Sequence, residues 1–241
     1  ETPQLLSQKL RREITMINFE QYLIERKGST VTQPQPKRKV KDRAELNGII
    51  DNGESLMNLD LSSVKDLSFL FFNKEYDGTA ISTWTFAKGS DMSWMFARAQ
   101  NNPIEGNNQD KIHLIGLEDC NCESMFNSNT SIEEVYISGS VMECDNMFLN
   151  CKKLKTVNKF DTSKSKGFMA MFSGCKAIKD VPLYDLSSAT IVTAMFMGCS
   201  ELRTDLHLLD VTDIVDMHKA RMVGGKFYSD NPQFVPKGYK V

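Results

Sequence analysis

The chain has 241 residues, 41% apolar and 25% charged, with a formal net charge of −2. That balance excludes a disordered chain, the near-neutral charge argues against a dedicated nucleic-acid binder, and no apolar run reaches the roughly 18 residues that a membrane-spanning helix needs. The unusual counts are 13 Met, 14 Phe and 6 Cys.

Residues 1–43 hold ten Lys/Arg against five Asp/Glu, a net of +5, which leaves −7 for residues 44–241. Leu6, Leu10, Ile14 and Ile17 recur at helical spacing, and Phe19, Tyr22, Leu23 and Ile24 widen the stripe. Lys27-Gly28-Ser29-Thr30 ends that pattern, and the stretch around Pro34 and Pro36 reads as an extended linker, because proline disfavours helix in the residue before it. Residues 1–40 are therefore expected to form a helix and a Pro-rich basic arm, folded back on the body or docked on a neighbouring subunit. The start at Glu1 reads as a processed or trimmed terminus, with no signal-peptide pattern behind it. A capping helix is expected over 41–53, where Asp42 and Glu45 have capping-box spacing and Asn52-Gly53 supplies the stop.

From there the chain repeats. The dipeptide Met-Phe recurs at Met95-Phe96, Met125-Phe126, Met147-Phe148, Met171-Phe172 and Met195-Phe196, at intervals of 30, 22, 24 and 24 residues. Leu70-Phe71 lies one period earlier, and Ala220-Arg221 one period later as a decayed copy. Cys151, Cys175 and Cys199 stand three residues after their Phe, and Asp60, Asp161, Asp185 and Asp210 open Asp-x-Ser/Thr triplets. Met92, Met95, Phe96 and Ala99 fall on one face of a short helix, whereas Ile132, Val135 and Ile137 end in the alternation of a strand. The expected fold is an α/β repeat solenoid of leucine-rich-repeat type over 41–222. It has about seven turns, each a short helical segment plus a short parallel strand.

Strict repetition assigns Phe71, Met95, Phe96, Met125, Phe126, Met147, Phe148, Met171, Phe172, Met195, Phe196, Cys151, Cys175 and Cys199 to a core ladder. The cysteines are expected as free buried thiols; convergent ligand pairs for a metal are lacking, and a rung-to-rung disulfide is the alternative. The aspartates are expected to form turns rather than a calcium ladder. No zinc-protease, nucleophile-elbow or phosphate-loop motif occurs, so no catalytic residue, cofactor or metal ligand is assigned. Candidate contact residues lie where the period breaks: Trp84 and Trp94; Asn101 and Pro103 in the Asn- and Gly-rich insertion at 97–111; and Phe227, Tyr228, Phe234 and Tyr239 in the tail at 223–241, which reads as a cap on the last repeat or as a docking segment.

The run Met-Phe-x-x-Cys-x-x-Leu-x-x-Val, followed by Phe160-Asp161-Thr162-Ser163 or Tyr184-Asp185-Leu186-Ser187, resembles the BspA-like leucine-rich repeat, also called the DUF285 or mycoplasma lipoprotein-type repeat. The resemblance covers about residues 40–222. It implies adhesion or protein–protein contact on microbial surfaces, with similar repeats in phage-encoded proteins, and it supplies no catalytic residues. The expected function is a non-enzymatic structural or protein–protein interaction module in a virion-type assembly or on a microbial surface. Its partners are other proteins, with neither nucleic acid nor a membrane span. The alternatives are a secreted or cell-surface adhesin and an intracellular adaptor.

Overall fold

A computed structural model describes residues 36–101 and 111–240. Of the helix and Pro-rich arm expected over 1–40, residues 1–35 lie outside the described residues, as does Pro103.

The first elements are strand β1 (Arg38–Lys39) and helix α1 (Arg43–Asp51). Asp42 caps α1 by accepting the Glu45 N–H at 2.9 Å, and Glu45 accepts the Lys41 N–H at 2.8 Å. Such a cap contributes about 1 kcal/mol to a helix this short. Gly53, at φ +64, takes the left-handed turn that ends it. Leu46 and Ile49 are the buried face of α1.

Next come β2 (Leu59–Leu61), β3 (Glu75–Tyr76), α2 (Gly78–Ile81), β4 (Thr85–Phe86), β5 (Gln100–Asn101), β6 (Lys111–Asn121), β7 (Glu134–Glu143) and β8 (Thr156–Val157). The short helices α3 (Asp216–Lys219) and α4 (Lys226–Asp230) and a 3-10 turn at Pro232–Phe234 close the chain. The strands form three separate parallel sheets, ordered β1-β2-β4, β3-β5 and β6-β7-β8. Most strands have only two or three residues.

The α/β leucine-rich-repeat solenoid expected from the sequence is thus not what the chain forms. Among the described residues there is neither a helix in each repeat nor one continuous sheet along the repeats, and the reason lies in the Met-Phe segments. Trp94, Phe96 and Arg98 donate their N–H groups to the carbonyls of Glu123, Met125 and Asn127 in the next copy, at 3.0, 2.8 and 2.8 Å. Met95, Ala97 and Ala99 donate backwards to Met92, Trp94 and Phe96, at 3.2, 3.1 and 3.2 Å. Every second N–H therefore leaves the segment sideways, which a helix forbids, since its N–H groups all run along the axis. The alternation requires left-handed residues. One stands two positions before each Phe (Phe69, Trp94, Ser124, Asn146, Ala170, Ala194), and another two positions after it (Asn73, Arg98, Ser128, Asn150, Gly174, Gly198). The segments are overlapping β-turns, several with positive φ at their third residue. A run of turns closing every three or four residues buries the same positions as a helix, so Met92, Met95, Phe96 and Ala99 are all fully buried without one.

In β6 and β7 the parallel register pairs Ile112 with Val135 and Leu114 with Ile137, then shifts around Leu117 and Gly139. Gly139 sits at φ +115, where an added Cβ would fall 1.8 Å from the Leu117 carbonyl oxygen. At the other end, the tail runs beside residues 206–211. Leu206 N–H donates to the Phe234 carbonyl at 2.9 Å, and Val211 and Leu209 bracket Lys237 through bonds of 2.9 and 2.8 Å. Asp210 and Lys237 add an ion pair at 2.8 Å.

Candidate interaction surface

The Met-Phe ladder is the core. All eleven of its assigned Met and Phe positions are buried, with at most 2% exposure. Rings of successive copies lie parallel: centroid separations are 5.8 Å for Phe71–Phe96, 5.1 Å for Phe96–Phe126, 5.5 Å for Phe126–Phe148, 5.2 Å for Phe148–Phe172 and 5.8 Å for Phe172–Phe196.

The cysteine column has a defined task. Cys151, Cys175 and Cys199 direct Sγ to the carbonyls of Phe126, Phe148 and Phe172, one copy back, at 2.9, 3.0 and 3.0 Å. In the earlier copy Asn129 does the same through Nδ2, bonding the Phe96 carbonyl at 3.0 Å. These side chains satisfy the second lone pair of a buried carbonyl, which is costly to leave bare. All six thiols are free and buried. Burial pushes Cys144, Cys151 and Cys199 up to about 12 and raises Cys120, Cys122 and Cys175 as well. A thiol held so far from its thiolate is a poor nucleophile.

The aspartate column makes turns. Asp60, Asp161, Asp185 and Asp210 each accept the N–H two residues on, from Ser62, Ser163, Ser187 and Thr212 at 2.9–3.0 Å. Asp66 and Asp91 do likewise for Ser68 and Ser93. These bonds lower the carboxyls of Asp60 and Asp161; in Asp185 the Ser187 side chain is the largest cause, ahead of its N–H, and in Asp210 it is the bond from Lys237. Among the described residues, no group of three or more His, Cys, Asp or Glu could hold a metal ion. A surface groove of about 720 Å³ runs beside Gly139, lined by Tyr136, Asn158, Asp161 and Asp185 among others. Within it, Asn158 Oδ1 accepts the Ile137 N–H, and its Nδ2 donates to the Ile137 carbonyl.

The contact candidates separate. Trp84 is buried, and its Nε1 donates to the Leu56 carbonyl at 2.6 Å, so it is not a surface residue. Asn101 lies in β5 opposite Tyr76. Tyr228 is buried with its hydroxyl on the Thr204 carbonyl at 3.1 Å. Phe227 stacks on Phe234 under the Arg203 guanidinium, and the Tyr239 hydroxyl bonds the Val223 carbonyl. The tail rings are thus packed within the chain.

Trp94 alone belongs to an open aromatic group. It stacks on Phe69 at 5.9 Å with planes 4° apart, and Phe72 meets both rings edge-on at 5.6 and 6.2 Å. Phe69 is 51% exposed, while Trp94 and Phe72 are partly buried. The Arg98 guanidinium lies 5.8 Å over Phe72. Phe69, Phe72 and Arg98 are not among the sequence candidates. The signal was present all the same, since the column two before the ladder Phe is Ser, Asn or Ala in four later copies.

The described residues thus define a repeat protein whose thiols and turn carboxylates serve the fold and which leaves Phe69 exposed beside the partly buried Trp94 and Phe72. A match to the family described as "Mycoplasma protein of unknown function, DUF285" spans residues 43–116 and 120–233. The chain belongs to that family. Membership is compatible with a surface or protein-interaction role, and the leucine-rich-repeat description has no support in the fold. Searches of curated proteins and of solved structures found no match. No helix among the described residues is long and apolar enough to cross a membrane.

Proposed function

We propose that the chain is a non-enzymatic protein–protein interaction module, a structural component of a virion-type assembly or of a microbial surface. One observation carries this reading. The residues with chemical potential are absorbed by the repeat, with six buried thiols and an aspartate column engaged in turns, while Phe69 is open to solvent beside the partly buried Trp94 and Phe72. Exposed apolar clusters of this kind serve contact. In this reading the arm at 1–40 reaches a neighbouring subunit. Light scattering of the full chain over a concentration series tests it, together with a triple variant carrying Leu6→Ser, Leu10→Ser and Ile14→Ser. The wild type is expected to assemble and the variant to remain monomeric. A wild-type monomer at every concentration would overturn the assembly role.

A further inference from the structure

One joint between copies is built differently from its neighbours. Five residues before the ladder Phe, Asp66, Asp91 and Asn121 each accept the N–H two residues on, from Ser68, Ser93 and Glu123 of their own copy. The copy at Phe172 has Gly167 in that place, so its Met169 N–H finds no such acceptor within the copy. Asp145 of the preceding copy supplies one instead, with Oδ1 at 2.6 Å. Glu143, the last residue of β7, lies over the same glycine. A Cβ on Gly167 would meet Glu143 Oε1 at 1.8 Å and Asp145 Oδ1 at 2.6 Å. The two oxygens thus crowd the space of one absent methyl group and are close neighbours.

The backbone carrying this pair is fixed from both sides. The Cys144 N–H is shared between Glu143 Oε1 at 3.2 Å and the Gly167 carbonyl at 3.1 Å, and the Asn146 N–H bonds the Met169 carbonyl at 2.7 Å. Toward the preceding copy, the Glu143 and Asp145 carbonyls accept from Cys122 and Ser124. The groups around the pair bring it no cation. Glu123 acts on both carboxyls as a like charge, and Cys122 and Cys144 are buried thiols. Lys166, next to Gly167 in the chain, is exposed and makes no ion pair with any described residue. By contrast Asp66 has Arg43 at 3.7 Å, and Asp91 has the Asn121 amide at 3.0 Å. Two half-buried carboxylates this close, without a cation, cannot both ionise without cost. Burial and then like charge raise both of them. The short bond from Met169 favours the ionised form of Asp145, which leaves the proton with Glu143.

We infer that Glu143 and Asp145 share one proton across the joint at Gly167, and that its loss loosens this joint between copies. The proton lets one carboxyl donate to the other. Its release to solvent leaves two facing charges, whose repulsion draws Asp145 off the Met169 N–H. A pair that holds its proton more tightly in the folded chain keeps the joint closed at acid pH. The joint opens as pH climbs above the ordinary carboxyl range of about 4–4.5. This device is independent of which partner the chain binds.

The test is amide hydrogen exchange of the full chain, followed by NMR from about pH 4.5 to about pH 7.5 and expressed as protection factors. The amides of Cys144, Asn146 and Met169 are expected to lose about tenfold or more of their protection over that range. Those of Trp94 and Phe96, two copies away, should lose clearly less. Glu143→Gln, a neutral mimic of the protonated acid, should hold the three amides at their acid-pH protection. Asp145→Asn keeps an acceptor for Met169 and should do the same. In the wild type, carbon-13 titration should show one carboxyl of the pair still protonated above the ordinary range. Both carboxyls titrating within that range would overturn the proposal, and so would protection that does not change with pH. An equal loss at Trp94 and Phe96 would make the change global and overturn the local joint. A pH dependence that survives in either folded variant would remove the pair as its cause. One abolished by Lys166→Met instead would make the contact an ion pair and overturn the shared proton.

Discussion

Phe172 is the position where the ladder can be tested most directly. Its ring is fully buried between Phe148 at 5.2 Å and Phe196 at 5.8 Å, both within 15° of parallel, and Tyr184 lies at 5.9 Å. Phe172→Ala removes the burial and opens a cavity, worth about 3–5 kcal/mol. The lost ring pairs contribute about 0.5–1.5 kcal/mol each beyond burial, which favours the upper half of that range. In a domain of this size 1 kcal/mol corresponds to about 2–4 °C, so thermal unfolding followed by circular dichroism should show a fall of roughly 8–20 °C. Phe172→Leu keeps most of the volume and should cost less than about half as much. The backbone bonds of Phe172, N–H to the Met195 carbonyl at 2.8 Å and carbonyl to Cys175 and Cys199, do not depend on the ring. A fall smaller than about 4 °C for Phe172→Ala would refute the claim that the ring ladder holds the copies together.

Two further predictions concern backbone and charge. Gly139→Ala sets a Cβ against the Leu117 carbonyl and forces β6 and β7 apart, whereas Gly116→Ala, also at positive φ (+75), meets nothing within 4 Å. Chemical denaturation should show a loss of about 1–2 kcal/mol for Gly116→Ala, from the left-handed backbone alone. A clearly larger loss or an insoluble chain is expected for Gly139→Ala, and equal losses would refute the close approach. Glu143 is raised by burial and then by the charge of Asp145, and Asp145 by burial and then by Glu123. A carboxyl raised in the folded state contributes stability that is complete below its unfolded pKa and lost as pH rises through the folded one. The lowered carboxyls of Asp60, Asp161 and Asp185 act oppositely, losing their contribution only as pH falls below about 4. As pH rises above the ordinary glutamate value of about 4.5, the melting temperature should therefore fall, and Glu143→Gln should flatten that slope and raise the value at pH 7. An unchanged slope would refute this assignment.

Burial was legible because it follows from repetition alone. The Met-Phe dipeptides, the cysteine column and the Asp-x-Ser triplets each recur in register, and the chain places the first two in the core and the third in turns. The element type was not legible. Positions i, i+3, i+4 and i+7 lie on one side both of a helix and of consecutive β-turns, so Met92, Met95, Phe96 and Ala99 could not distinguish them. The discriminating residues stood between those four. Asn73, Asn146, Asn150, Gly174 and Gly198 occupy fixed places around four of the six ladder Phe residues, and Asn or Gly recurring at fixed places inside a supposed helix contradicts helix propensity and fits a left-handed slot. Continuous strands failed for a related reason: the bonds between copies come mostly from every second N–H of the turn segments, and outside them many copies meet only at isolated bridges such as Gly167 to Ile191, so only β6 and β7 extend far.

The same slots explain why the aromatic surface was missed while its best-known member was named. Trp94 and Trp84 both lie where the period breaks, which does not separate them, although Trp84 is buried. Geometry separates them. Trp84 satisfies a core position with its Nε1 paired to Leu56, whereas Trp94 occupies a place that the turn reserves for a left-handed residue. Phe69 and Arg98 are ordinary residue types and conspicuous only against that requirement. Once each repeat position is given its backbone conformation, a side chain that fits the position poorly becomes informative. In this chain the poor fits are not scattered: they fall in two neighbouring copies and touch the same ring, Phe72 or its partner. Independent drift would scatter such departures over twelve slots, while selection for one surface gathers them, and gathering is what the structure shows.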